Sequence, residues 1–382
     1  MQEKDIELSI VMPCLNEEET IASCITKAQA GIKATGLSGE IIIVDNGSTD
    51  KSVEIAESMG VRIVREKERG YGNAYKKGFS EARGKYIIMG DSDDTYSFSE
   101  IKPFVDKLKN GADFVVGSRL KGKIYAGAMP LLHRYFGTPL IAFLLNLFFK
   151  TGVSDPNCGM RAFTKEAFLK MNLQSGGMEF ASEMIINAAR ENLKIAEIPI
   201  DYYARKGESK LHTFRDGWRH LRFMLFYSPT YLFLLPGSAI TLMGLFVLLM
   251  VLPGPFKIGQ LSFDIHYMVL GSALALLGSQ ILSIGLFAKC YAYTEGYEVK
   301  DIFISLFLKY FTLERGIYFG CAFILIGLLV NFYILLKWIN AGFGALAEVR
   351  MALFALTLLI LGVQAVFSSF FISILLLKKG RF

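Results

Sequence analysis

Two hydrophobic periodicities divide this chain, and one replaces the other near residue 222. Before that point, short apolar runs alternate with stretches of helical spacing. Residues 8–12 form an apolar run that ends at Pro13, and residues 17–34 carry helical spacing from Glu17 onward. The run 41–44 is wholly β-branched, as expected of a central parallel strand covered on both faces. Ser48 or Thr49 is placed to cap the next helix, which runs to about Met59 before Gly60. Residues 61–64 read as a third strand, 72–82 as a helix and 86–89 as a fourth strand. This alternation predicts a doubly wound α/β domain, whose ligands sit beyond the carboxyl ends of the strands. Pro13, Asp45 and Asp91 fall at such ends.

After that point the pattern is nearly continuous hydrocarbon. Four apolar stretches, about 231–252, 268–288, 316–336 and 351–377, approach the roughly 20 residues needed to span a bilayer. A fifth, 139–149, is too short to span and reads as an interfacial or core helix. The expected organisation is a head over residues 1–230 and a membrane domain over 231–382. Lys289, Lys300, Lys309 and Arg315 lie between the second and third stretches, and Lys378, Lys379 and Arg381 follow the fourth. The other two loops hold only Lys257 and the pair Lys337 and Arg350. By the positive-inside rule the head and both termini are expected in the cytoplasm. The charged opening Met-Gln-Glu-Lys-Asp leads into a strand and reads as no signal peptide.

Composition narrows this picture. Hydrophobic residues make up 52% of the chain, and the net charge of +6 suits an anionic lipid surface or phosphate ligands. It is too small to point to nucleic acid, and no basic-aromatic module accompanies it. The five cysteines form no Cys-x-x-Cys pair, so neither a zinc nor a redox site is expected. His133, His212, His220 and His266 show no ligand spacing and read as solvated or interfacial.

The chemistry concentrates after the strands. Gly90-Asp91-Ser92-Asp93-Asp94 places carboxylates at i and i+2 on a turn expected to be exposed. Such a pair can face one hard cation, Mg²⁺ or Mn²⁺, shared with the diphosphate of a nucleotide. Glu17 in Met12-Pro13-Cys14-Leu15-Asn16-Glu17-Glu18 and Asp45 in Val44-Asp45-Asn46-Gly47-Ser48-Thr49-Asp50 can accept bonds from a base or ribose. The basic segment from Arg205 to Arg222 suits anionic lipid. Within it Arg205 and Lys210 flank Gly207, which would let that loop approach a substrate phosphate. Glu179 and Glu183, at i and i+4, read either as a general base or as structural helix pairing.

With these three acidic motifs the chain resembles the inverting family 2 glycosyltransferases of GT-A fold. The likeness continues through Arg69-Gly70-Tyr71-Gly72-Asn73-Ala74 with Gly78 and Val116-Gly117-Ser118-Arg119. It extends to Asp155-Pro156-Asn157-Cys158-Gly159-Met160-Arg161 and Arg205-Lys206-Gly207-Glu208-Ser209-Lys210-Leu211. In this order the set is similar to the polyisoprenyl-phosphate glycosyltransferases, such as dolichol-phosphate mannose and glucose synthases. The resemblance implies a GT-A (Rossmann-like) catalytic domain followed by four transmembrane α-helices. It implies that Pro13, Leu15, Asn16, Glu17, Asp45, Gly70 and Gly72 hold the nucleotide. Asp91 and Asp93 would bind the metal, and Arg119, Arg134, Arg205 and Lys210 the acceptor phosphate, with Asp91, Asp93 and Arg119 the catalytic set. Leu15 stands where an aromatic is common, and Thr95 where some relatives offer Gln, leaving Asp94 as an alternative third metal ligand.

The resulting expectation is inverting transfer of a hexose from UDP-glucose-type sugars or GDP-mannose to a polyisoprenyl phosphate, dolichyl or undecaprenyl. The partners are the nucleotide-sugar, the carrier and membrane lipid, with a homo-oligomer left open. A phosphate acceptor is mostly dianionic at neutral pH and needs no base, which matches a head rich in acids and cations. The alternatives are a processive polysaccharide synthase, whose Gln-x-x-Arg-Trp motif is missing at Asp216-Gly217-Trp218-Arg219, and a non-catalytic flippase or scaffold.

Overall fold

The computed structural model describes residues 6–205, 213–294 and 302–377. The chain divides into two compact units, Met1–Met224 and Leu225–Phe382.

The first unit is built on seven strands: β1 (Leu8–Cys14), β2 (Gly39–Asp45), β3 (Arg62–Arg65), β4 (Tyr86–Met89), β5 (Phe114–Ser118), β6 (Arg161–Thr164) and β7 (Ile195–Pro199). Helices α1 (Ile21–Thr35), α2 (Ser52–Ser58), α3 (Tyr71–Glu81), α4 (Lys102–Lys109), α5 (Thr138–Phe149), α6 (Lys165–Met171), α7 (Phe180–Arg190) and α8 (Thr213–Phe226) alternate with them. The sheet order is β3-β2-β1-β4-β6-β5-β7. All residues of β4 and β5 are buried, as their apolar runs require. The sheet is mixed: β6 runs antiparallel to β4 and β5. Arg161, the first residue of β6, pairs with Val116 near the end of β5. The intervening segment therefore returns on the carboxyl-end side, and β6 has to run back.

Two helix starts shift from their expected places. Helix α1 begins at Ile21 because Glu17 O accepts Thr20 N at 3.1 Å and Ile21 N at 2.9 Å in a preceding turn. Helix α2 begins at Ser52, without Ser48 or Thr49 as its cap. Those two residues bond across to the first loop instead: Asn16 N donates to Ser48 Oγ at 3.2 Å, and Thr49 N to Asn16 Oδ1 at 2.8 Å. Helix α5 buries Thr138, Ala142 and Leu145. Leu140, Phe143 and Leu147 remain exposed, as do Leu131, Leu132, Tyr135 and Phe136 before it.

Among the described residues, the second unit contains four helices long and apolar enough to cross a membrane: Thr230–Val251, Ile265–Thr294, Leu313–Asn340 and Val349–Leu376. The first comprises a π-helical turn, Thr230–Leu234, and α9 (Leu235–Val251). The others are α10 (Ile265–Thr294), α12 (Leu313–Asn340) and α13 (Val349–Leu376), with the short α11 (Ile302–Tyr310) before α12. A hairpin of β8 (Phe256–Ile258) and β9 (Leu261–Phe263) joins α9 to α10.

Contacts order the long helices α9, α10, α13, α12. Glycines at heptad spacing make two of these seams. A methyl on Gly244 would lie 2.2 Å from Ala275 N, and one on Gly278 2.4 Å from Thr241 N. Between α12 and α13, a methyl on Gly362 would lie 2.6 Å from Gly320 O. Backbones therefore touch, the way small residues replace the hydrophobic effect inside a bilayer. The seam between α10 and α13 is polar: Ser272 and Thr357 hydroxyls lie 2.7 Å apart, and Ser279 Oγ donates to Gln364 Oε1 at 2.9 Å.

Candidate active site

The buried strand β4 delivers Gly90 and then the acidic turn. Gly90 is required there, since a methyl would stand 2.6 Å from the Phe98 ring. Asp91 Oδ1 accepts the hydroxyls of Tyr71 at 3.0 Å and Tyr75 at 3.2 Å. These tyrosines sit at i and i+4 on one face of α3. Burial and the Asp91 charge hold both phenols well above their ordinary pKa, so both remain donors. Desolvation, and next the charge of Asp93, push Asp91 up to about 6, while the two tyrosine bonds and Arg205 pull the other way. The opposite oxygen, Asp91 Oδ2, faces Gly159, where a methyl would intrude to 2.6 Å.

Asp93 is 8% exposed, so the turn is buried where exposure was expected. Its Oδ1 accepts Thr95 Oγ1 at 2.6 Å and Thr95 N at 3.2 Å. Asp94 points elsewhere: held with φ of 63°, it accepts Lys27 Nζ at 2.6 Å and Ser23 Oγ at 3.1 Å from α1. The alternative third-ligand role for Asp94 therefore gives way to a role in pinning the turn. Thr95 spends its hydroxyl on Asp93.

The loops after β1 and β2 knit into one rim. Ser92 Oγ donates to Pro13 O at 2.5 Å, tying the acidic turn to the first loop. Leu15 and Asn16 follow, Asn16 in the left-handed region at φ 55°. Glu17 N donates to Ser52 Oγ at 2.8 Å, and Asp45 Oδ1 accepts Ser48 N at 2.8 Å. Asn46, which the sequence did not single out, extends the rim: its Oδ1 accepts Gly70 N at 2.8 Å. Gly70 and Gly72 are glycines for a reason internal to the chain. A methyl on either would lie 2.3 Å from a carbonyl oxygen, that of Gly176 for Gly70 and of Ser175 for Gly72.

The expected phosphate cations that the structure describes each have different partners. Arg119 is 7% exposed and grips Asp155 bidentately, Nε to Oδ2 at 2.7 Å and Nη2 to Oδ1 at 2.8 Å. Burial opposes its charge, yet Asp155 holds its pKa well above the usual value. Its guanidinium lies 5.0 Å from the Tyr202 ring centroid. Burial raises the Tyr202 pKa, and the Arg119 charge opposes that shift. Arg205 reaches Glu17 Oε1 at 3.0 Å and Asp93 Oδ2 at 3.6 Å. The Arg134 guanidinium lies over the Tyr135 ring at 5.3 Å, and among the described residues no hydrogen bond joins it to the acids. Lys210 lies outside the described residues.

The roles of three further residues emerge only in three dimensions. Arg161 is fully buried and donates to the carbonyls of Cys158, Ala181 and Pro156, which shapes the loop carrying Asp155 and Gly159. Glu183 is buried and accepts Gln174 N at 2.8 Å and Ser175 N at 2.9 Å, which fixes the loop against Gly70 and Gly72. This is the structural alternative to a base. His220 corrects the solvated reading: it is buried, with Nδ1 2.8 Å from Ser182 Oγ.

Two family descriptions match the chain. Glycosyl transferase family 2 covers residues 9–171, and the glycosyltransferase family 2 C-terminal transmembrane region covers 286–376. The low-salt glycan biosynthesis hexosyltransferase Agl6 of Haloferax volcanii is 40% identical over 364 residues, 95% of this chain and 87% of that protein. The dolichyl-phosphate hexose transferase of the same organism is 33% identical over 213 residues, 55% of this chain and 89% of that protein. A crystal structure of glucosyl-3-phosphoglycerate synthase from Mycobacterium tuberculosis with Mn²⁺, uridine diphosphate and glucosyl-3-phosphoglycerate matches with a TM-score of 0.47 and 21% identity, covering 58% of this chain and 79% of that one. With a GT-A-like head, four apolar helices and a relative alike over nearly its whole length, the chain belongs to the family 2 glycosyltransferases and is an integral membrane glycosyltransferase.

Proposed function

We propose that the protein transfers a hexose from a nucleotide-sugar to a polyisoprenyl phosphate, with inversion at the anomeric carbon. The observation that carries this reading is the engagement of Glu183, the candidate base, by two backbone N–H groups. A carboxylate so occupied is a poor proton acceptor for a sugar hydroxyl. A phosphate monoester has a second pKa of about 6 and needs none. Its oxygen attacks the anomeric carbon, the bond to the nucleoside diphosphate breaks, and no proton has to move. Aligning the nucleophile supplies much of the rate. The dolichyl-phosphate hexose transferase relative, by its name, points to the same acceptor class.

The donor set fits a divalent cation. Asp91 and Asp93 each have Oδ1 satisfied by neutral donors, which leaves Oδ2 of each as a hard oxygen ligand. Gly159 keeps the space beside Asp91 Oδ2 open, and positive charge already stands near Asp93 Oδ2 in Arg205. Mg²⁺ or Mn²⁺ held there would neutralise charge on the leaving diphosphate. Pro13, Leu15, Asn16, Glu17 and Asp45 line the rim where the nucleoside belongs, and Gly70 and Gly72 shape its wall. Arg119, held by Asp155, supplies fixed positive charge to the site. Arg134, Arg205 and Lys210 are the cations left for the acceptor phosphate.

The head and both termini belong on the cytoplasmic side. The distribution of loop cations supports this. The exposed apolar residues on and before α5 suit the bilayer surface. The touching helix backbones at the glycine seams favour an anchor over the channel of a processive synthase. The test is to incubate the purified protein with Mn²⁺ or Mg²⁺, polyprenyl phosphate and a panel of nucleotide-sugars, and to weigh the lipid product. A polyprenyl-phosphate hexose is expected. Transfer only to a sugar hydroxyl, or growth of a polymer, would overturn the reading.

A further inference from the structure

The site described above contains one cation in an unexpected place. Arg205 does not stand apart as a phosphate ligand. Its guanidinium bridges two carboxylates that belong to different loops, Glu17 after β1 and Asp93 after β4. The chain leading to it is fixed on the acidic turn itself, since Tyr203 N donates to Thr95 O at 3.1 Å. Tyr203 also stacks on Tyr125, with ring centroids 4.6 Å apart. The backbone therefore holds Arg205 within reach of both acids, and only the side chain has to move for the contact to be made or broken. The bridge is imperfect: Arg205 Nε is buried without a hydrogen-bond partner among the described residues. A buried unsatisfied donor weakens the contact that buries it.

We propose that Arg205 is a displaceable latch on the donor site, which occupies the acids until a divalent cation takes its place and which then turns to the acceptor phosphate. Asp93 Oδ2 cannot serve a metal and a guanidinium at close range together, because the two like charges repel. Binding of the metal releases one arm of the bridge, and a nucleotide on the Glu17 loop releases the other. The freed guanidinium remains beside the donor, tethered through Tyr203, and has the bidentate geometry that suits a phosphate. One residue thus makes acceptor binding follow donor binding, which keeps the lipid phosphate away from an empty donor site. This inference rests on the metal reading of Asp91 and Asp93, and it assigns Arg205 a sign that reading alone does not: removal should tighten metal binding.

The test is binding of Mn²⁺ alone to the purified full chain in detergent, read by electron paramagnetic resonance of the free ion. Arg205→Ala is expected to bind Mn²⁺ about threefold more tightly or better, the scale of a partly exposed ion pair. Arg205→Lys should fall between the two. A second measurement follows a short-chain polyprenyl phosphate, whose binding to the wild type should strengthen when Mn²⁺ and uridine or guanosine diphosphate are present. Coupling of this kind is reciprocal, and it should vanish in Arg205→Ala. If wild type binds Mn²⁺ in a manner lost in Asp93→Ala, yet Arg205→Ala binds it equally or more weakly, the latch is wrong and the metal site stands. If neither wild type nor Arg205→Ala binds Mn²⁺, both fall together.

Discussion

The strongest single constraint on the site is the ion pair between Asp155 and Arg119, and Asp155→Asn tests it. Asp155 is fully buried and accepts three bonds from one residue: Arg119 N at 2.9 Å, Nε at 2.7 Å and Nη2 at 2.8 Å. Asparagine keeps the shape but removes the charge, and it turns an amide toward a donor. The guanidinium is then buried without a counter-charge, which costs about 3–5 kcal/mol. Tyr202 still covers it, and a cation–π contact contributes about 1–2 kcal/mol in such a setting, so the lower end is expected. Native-state hydrogen exchange on β5 peptides reads the loss locally: about 3 kcal/mol corresponds to roughly a hundredfold faster exchange through the opened state. Pairing Arg119→Met with Asp155→Leu should recover most of the protection, because a buried pair replaced by apolar groups of similar volume is near neutral. Transferase activity should stay lost, since the positive charge proposed for Arg119 in the site is gone. Exchange in Asp155→Asn within about threefold of wild type would refute the reasoning, and would mean that the pair contributes little to holding this end of the sheet.

Other outcomes are equally concrete. Asp93→Asn should cut turnover by about a thousandfold or more, while circular dichroism stays native, and near wild-type rates would remove Asp93 from the metal site. Glu183→Gln should lower stability by about 1–3 kcal/mol through the lost backbone bonds, yet leave turnover per folded molecule within a few-fold. Complete loss of chemistry in Glu183→Gln with both substrates still bound would restore a general base and favour an alcohol acceptor. A cysteine at Gly259, in the β8–β9 hairpin, should react with an impermeant reagent from outside the cell. One at Thr312, before α12, should be shielded, and the reverse pattern would invert the topology.

What the sequence made legible were features set by neighbours along the chain. The acidic turn after β4 and the four apolar helices are written in consecutive or periodic residues. What stayed hidden depends on register between distant segments. Asp155 and Arg119 are each recognisable as charged, but 36 residues separate them, and only the return of the chain into β6 brings them together. The same return places Gly159 beside Asp91 Oδ2. Tyr71 and Tyr75 show i, i+4 spacing on α3, a signal that could have found them, although spacing alone does not say that the face meets Asp91 rather than the core. Glu183 shows the limit most clearly. Its spacing from Glu179 allowed either a base or a structural partner, and the choice is made by two backbone N–H groups eight and nine residues upstream. Those N–H groups belong to the loop that packs on Gly70 and Gly72, so one buried carboxylate holds the wall of the rim proposed for the nucleotide. A residue type defines which partners are chemically possible, whereas the register of the sheet and the path of its loops decide which partner is met. In this site that choice gives a candidate base the work of a strut, and gives Arg205, a candidate phosphate ligand, a bridge between two acids.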